Sequence, residues 1–233
     1  MCEAGRSAQG RQMTSVEATR GPARRFAEPK SSARRARQML LWIHVLSSVS
    51  WMSQALALLV LMLNPGEGGV VAAHVLDTTV LVVSANLSAM SGFLLSSTTP
   101  WGFFVHWWVL VKFVITVGQL VVGIAVLSPT LDEATRSGDA TPGLLTATVV
   151  MATLIAFQAW LSIAKPWPRV PRRTQGKAPV PGTVVRIAAP AALLGDVVVF
   201  VSVGQPIPLC SVVVLVAAII GRRRAHRAGT SLS

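Results

Sequence analysis

Charged residues are scarce in this sequence, and acidic residues are the scarcest of them. Only 13% of the 233 residues are charged and only nine are Asp or Glu, whereas 52% are hydrophobic. A soluble domain of this length carries about a quarter charged residues. The composition therefore excludes an ordinary soluble domain and predicts an integral membrane protein.

Cysteine is rare as well. Cys2 lies near the N-terminus and Cys210 lies inside an apolar run, so their number and spacing support neither a disulfide framework nor a zinc site. The sequence also has no P-loop, no nucleophile elbow and no zinc-protease helix motif. No motif therefore predicts an enzyme.

Basic residues are in excess, with a net charge of +12, and their placement is uneven. Of the 21 Lys and Arg residues, nine precede Met39, six lie in residues 165–186 and four in residues 222–227. Basic blocks beside apolar runs are typical of the cytoplasmic ends of membrane spans. We therefore expect no nucleic-acid partner. The expected partners are the lipid bilayer and, through the basic tails, anionic lipid headgroups.

Long apolar runs give the expected fold: an all-α transmembrane helix bundle of four regular spans plus a C-terminal apolar helical hairpin or tilted helix. About 20 apolar residues cross the hydrocarbon core as a helix. The four regular runs are residues 39–63, 70–95, 107–127 and 144–164. Trp101, Trp107 and Trp108 precede or open the third run, and tryptophan is enriched at the membrane–water boundary.

The division of the chain follows from these runs. We predict a disordered basic cytoplasmic tail at 1–38, a four-helix transmembrane bundle at 39–165, a basic Pro/Arg-rich cytoplasmic linker at 166–186, an apolar hairpin at 187–221 and a basic tail at 222–233. The third and fourth spans are joined by a polar loop at 129–143. Residues 204–208 (GQPIP) divide the last apolar segment, which crosses twice, crosses once as a tilted helix, or re-enters. The linker composition predicts few contacts between this segment and the bundle.

Polar residues within the spans fall into two layers when their depth is counted from the helix ends at 1.5 Å per residue. The inner layer is His44, Asn86, Lys112 and Gln158, and the outer layer is Gln54, His74 and Asp77. Polar groups in a membrane bundle face inward and find partners there. The alternatives are a packing role for His44 and a Lys112 that reaches back to the headgroups.

Two local patterns refine the picture of the second span. Ser84, Ser88 and Gly92 recur every four residues, a small-residue stripe that lets another helix approach closely. His74 and Asp77 are three residues apart and share a helix face, which favours a direct pair.

Four short motifs carry a resemblance: residues 44–51 (HVLSSVSW), 99–102 (TPWG), 107–112 (WWVLVK) and 165–167 (KPW). Over residues 39–170 the chain resembles a family of bacterial multi-pass integral membrane proteins of unknown function. It is similar, more distantly, to copper-resistance-D type membrane proteins and to the bacterial haem-associated protoporphyrinogen oxidase. The last resemblance implies functional roles for His44 and Lys112. The segment after residue 186 has no counterpart in these families.

Three functions are compatible with these features. The first is a non-enzymatic structural or accessory protein of the bacterial inner membrane, multi-pass, with its N-terminus in the cytoplasm. The second is a haem- or metal-linked redox protein that uses His44 and Lys112; its cofactor is otherwise unknown, and no metal ligands are assigned. The third is a small transporter. We expect the first.

The charge distribution predicts which loops face which side. The region around Ser137 is net acidic and is expected at the outer face of the membrane, whereas Thr174 lies in a basic segment and is expected in the cytoplasm. A membrane-impermeant thiol reagent added to sealed cells should therefore modify a Ser137→Cys variant and spare Thr174→Cys. Equal modification of the two variants would contradict this topology.

Overall fold

The computed structural model describes residues 29–64, 67–99, 102–103, 105–166, 180–204 and 206–230. Most of the predicted tail (1–28), most of the linker (167–179), and Pro100 and Trp101 of the predicted aromatic belt lie outside the described residues. Within the described part the fold is all-α, as expected.

The described residues form eight helical segments. These are α1 (Pro29–Leu63), α2 (Glu67–Leu76), α3 (Val82–Thr98), α4 (Trp107–Val122), α5 (Ser128–Ser137), α6 (Pro142–Ala164), α7 (Thr183–Val203) and α8 (Leu209–Thr230). A π-helical turn at Asp77–Leu81 joins α2 to α3, and a second at Gly123–Leu127 joins α4 to α5. Six continuous helices result, and five are long and apolar enough to cross a membrane.

The first helix lies at the centre of the bundle. α1 packs against α2, α3, α6 and α7, and the helices alternate in direction along the chain. We call the side at which α1 begins the N-terminal side and the other the opposite side. Exposed tryptophans lie near the N-terminal side on three helices, namely Trp42, Trp107 and Trp160. This is the placement expected of an aromatic belt.

The fourth span lies where the sequence predicts it. The hydroxyl of Thr141 accepts a hydrogen bond from the Leu144 N–H (3.3 Å) and caps α6, and Pro142 occupies the first turn. Lys165 adopts a left-handed conformation (φ 44°) directly before Pro166 and ends the helix. Capping residues therefore define both ends of α6.

Two predicted boundaries of the four-helix unit are wrong. Residues 29–38 are helical rather than part of a disordered tail, and Ala33 and Ala36 are buried. Residues 128–137 continue the third span as α5 instead of forming a loop. Leu131 and Ala134, three residues apart, share the face of α5 that packs against the end of α1 and against α2. Burial of that face makes a helix more favourable than a solvated loop.

The C-terminal apolar segment is a helical hairpin, α7 and α8. Its predicted bounds are wrong, because α7 begins inside the predicted linker (166–186) and α8 continues into the predicted basic tail (222–233). The expectation that it makes few contacts with the bundle is wrong. Ala189 and Leu193 of α7 share a buried cluster with Leu40 of α1 and Leu94 of α3. The Arg222 guanidinium also donates to the carbonyl oxygens at the end of α3, those of Ser96, Ser97 and Thr99, at 2.8–3.0 Å. Arg222 thereby satisfies carbonyls that have no partner within their own helix.

Candidate functional site

The predicted small-residue stripe forms the contact between α1 and α3. A Cβ atom at Gly92 would lie 3.1 Å from His44 Cε1, so the imidazole packs directly on the glycine. Four residues along, the hydroxyls of Ser48 and Ser88 hydrogen bond at 2.7 Å. The absence of larger side chains on α3 is what admits the His44 ring.

The hydrogen bonds of His44 fix the state of its ring. Nδ1 lies 3.0 Å from the Ser88 carbonyl oxygen and 3.0 Å from Ser91 Oγ. A carbonyl oxygen can only accept, so Nδ1 carries the proton in this arrangement and Nε2 remains the accepting nitrogen. An Nδ1–H bonded to a backbone carbonyl is also the usual state of a histidine that ligates metal through Nε2.

A second line of polar groups joins α4 to α6. The Lys112 amino group donates to Ser162 Oγ at 2.6 Å, and Ser162 Oγ donates to the Gln158 carbonyl. Thr116 Oγ1 donates to Gln158 Oε1 at 2.7 Å, and Gln158 Nε2 donates to Gln119 Oε1 at 2.5 Å. Since these residues lie on two helices, their side chains add polar contacts to the apolar packing of Leu120 against the buried cluster that includes Ala152 and Ile155.

The four residues of the predicted inner layer thus have three different sets of partners. His44 bonds to α3, and Lys112 and Gln158 bridge α4 and α6, while the Asn86 amide donates to the Pro206 carbonyl oxygen in the turn between α7 and α8 at 2.8 Å. The hydrogen-bond partners of His44 lie on α3 and that of Lys112 lies on α6, so these two residues share no partner.

The predicted outer layer divides in the same way. Gln54 is buried on α1, where its amide donates to Ser50 Oγ (2.6 Å) and to Ser84 Oγ (3.2 Å). His74 Nδ1 lies 3.1 Å from Asp132 Oδ1 on α5, at ion-pair distance but without hydrogen-bond alignment.

Asp77, the remaining member of the outer layer, accepts from Ser128 Oγ at 3.1 Å. The two residues are neighbours of the π-helical turns: Asp77 begins the first turn and Ser128 follows the second. The short contacts of His74 and Asp77 therefore join the second span to the third. The structure does not form the predicted direct His74–Asp77 pair, because His74 lies against Asp132 and Asp77 bonds Ser128.

Asp196 is the polar residue that the sequence reasoning missed. It lies inside α7, and its carboxylate accepts from the backbone N–H groups of Cys210 (2.7 Å) and Ser211 (3.1 Å) in the first turn of α8. An acidic residue inside an apolar run of this length was the available signal. Its partners are backbone groups, which composition does not reveal.

Comparison with protein-family models, with curated proteins and with solved structures finds no match. The fold and the site therefore define a class only: the chain is a multi-pass membrane protein with hydrogen-bonded polar groups between its helices. Within the described residues, no group of three or more His, Cys, Asp or Glu side chains is placed to hold a metal ion.

The Lys112–Ser162 bond generates a specific expectation. Lys112→Met and Ser162→Ala should each lower the stability of the detergent-solubilised protein, and the double variant should lose less than the sum, with a coupling of about 0.5–2 kcal/mol. Thermal unfolding of the four species measures it. As a control, Lys112→Met combined with His74→Ala, at the other end of the bundle, should be additive. Additivity in both pairs would show that the Lys112–Ser162 bond contributes nothing.

Proposed function

We propose that this chain is a structural or accessory protein of a bacterial cytoplasmic membrane, with its N-terminus in the cytoplasm. This proposal rests on the hydrogen-bond partners of the polar side chains. His44, Asn86, Lys112 and Gln158 each bond to another helix or to the hairpin turn. Groups committed to bonds between helices stabilise a bundle and are less available to a substrate.

The proposed orientation is supported by charge at the N-terminal side of the bundle. Arg34, Arg35 and Arg37 near the start of α1 are exposed, as are Arg223 and Arg224 of α8. Basic residues next to a span favour the cytoplasmic side and attract anionic lipid headgroups. The lipid partner is thus a membrane surface rather than a bound substrate.

A haem- or metal-linked redox protein is the second candidate, and one observation favours it. Nδ1 of His44 lies at hydrogen-bond distance from the Ser88 carbonyl oxygen, so Nδ1 carries the proton and Nε2 keeps the lone pair that a metal ligand needs. The surroundings fit a haem poorly, because the His44 ring packs directly against Gly92 of α3, where a Cβ atom would lie only 3.1 Å from Cε1.

An absorption spectrum and a metal analysis of the detergent-purified protein decide between the two candidates. The structural proposal predicts a colourless protein without stoichiometric metal. His44→Ala and His74→Ala form the matched pair, because both remove an imidazole from a span but at opposite ends of the bundle. A Soret band or bound metal that His44→Ala abolishes and His74→Ala retains would overturn the structural proposal in favour of the redox one.

A further inference from the structure

The turn between α7 and α8 lies partway along the bundle rather than at its end. The Asn86 amide contacts the Pro206 carbonyl oxygen, and Asn86 lies twelve residues before Thr98, the last residue of α3. At 1.5 Å per residue the turn is about 18 Å from the end of α3. The hydrocarbon core of a bilayer is about 30 Å thick.

The bundle continues beyond this turn with an apolar outer surface. Ser48 and Ser88 bond to each other, so they lie at one level of the bundle, close to Asn86. Val60 lies twelve residues after Ser48 along α1, about 18 Å at 1.5 Å per residue. Val60 is 59% exposed, and Val71 near the start of the second span is 46% exposed. Such side chains need lipid around them, so the bilayer must extend past the level of the turn.

The side chains exposed around the turn are themselves apolar. Val201, Val203, Ile207 and Leu209 are between 44% and 78% exposed. The exposed face of α5, on the opposite side of the bundle, instead carries Glu133 and Arg136. A turn in water would favour charged side chains like those of α5, whereas a turn in hydrocarbon favours the apolar side chains that are found.

The backbone donors that open α8 are satisfied within the protein. The first N–H groups of a helix have no partner inside it, yet Cys210 and Ser211 donate to the Asp196 carboxylate. Leu209 N–H donates to the Ile207 carbonyl oxygen and Val212 N–H to that of Pro208, both at 2.9 Å. At a surface turn water could satisfy these donors, whereas in hydrocarbon each unpaired donor is costly.

Several of the described residues of the turn follow the same pattern. Pro206 and Pro208 have no N–H to satisfy, the Gly204 N–H donates to the Phe200 carbonyl oxygen at 2.8 Å, and Asn86 supplies the donor for Pro206. Irregular backbone at membrane depth is tolerated where the protein meets its polar groups in this way.

We propose that α7 and α8 form a re-entrant hairpin, which enters the bilayer from the N-terminal side, turns near its middle and leaves on the same side. Asp196 and Asn86 hold the turn at that depth by bonding its backbone. Four spans then cross the membrane, and α7, although long enough to cross, does not reach the opposite surface.

Cysteine accessibility tests the depth of the turn. In a chain with Cys2→Ala and Cys210→Ala, single cysteines are placed by Ile207→Cys in the turn and by Ser137→Cys at the exposed end of α5. Membranes opened by freeze–thaw expose both surfaces to a membrane-impermeant maleimide. We expect Ser137→Cys to be modified and Ile207→Cys to remain at the level of the cysteine-free protein until detergent is added. Modification of both to the same extent would overturn the proposal.

A second measurement uses another position, so that it does not depend on the folding of the Ile207→Cys variant. A spin label attached to Ser202→Cys, on an exposed face near the end of α7, should relax with membrane-dissolved oxygen and not with a water-soluble nickel chelate. The same label at Ser137→Cys should show the reverse. Preferential relaxation of the Ser202 label by the nickel chelate would place the turn in water and refute the re-entrant hairpin.

Discussion

Hydrocarbon offers a polar group no hydrogen-bond partner, and the architecture of this protein depends on that constraint. Most polar side chains described within the spans find partners on other helices or on their own backbone, while Gln54 Oε1 and Ser211 Oγ are buried without one. Many of the described hydroxyls, such as that of Thr153, bond the carbonyl four residues earlier in their own helix. Side chains that are too long or too polar for this solution, such as Gln158 and Lys112, bond across a helix contact instead. They thereby determine which helices are neighbours.

The same constraint connects the bundle to its C-terminal segment. Asn86 bonds the hairpin turn, Asp196 caps the first turn of α8, and Arg222 caps the end of α3. Each of these residues satisfies backbone groups of another helix or of a turn, so the hairpin depends on the bundle and the bundle on the hairpin. The polar residues inside the spans therefore have a structural role, and this supports the proposed structural function.

The sequence predicts what depends on local pattern and misses what depends on distant partners. Apolar runs predict the all-α fold, give a hairpin as one alternative for the last apolar segment, and place the fourth span at 144–164, close to α6 (Pro142–Ala164). Helical depth places Lys112 and Gln158 at one level, and the structure joins both to the α4–α6 contact. The helix at 128–137 was missed because a composition as polar as that of a loop hides the buried pair Leu131 and Ala134. The partners of Asp196 were missed because they are backbone groups fourteen and fifteen residues away.

The central claim, that polar contacts between helices stabilise this bundle, is tested most directly by Gln158→Leu. This change keeps the side chain near its original size but leaves the Thr116 hydroxyl and the Gln119 side-chain oxygen Oε1 without their partner. We predict a loss of about 1–3 kcal/mol in the free energy of unfolding in detergent. The control Thr153→Val removes a hydroxyl bonded only within its own helix and should change little. Unchanged stability of Gln158→Leu, or an equal loss in both variants, would contradict the account.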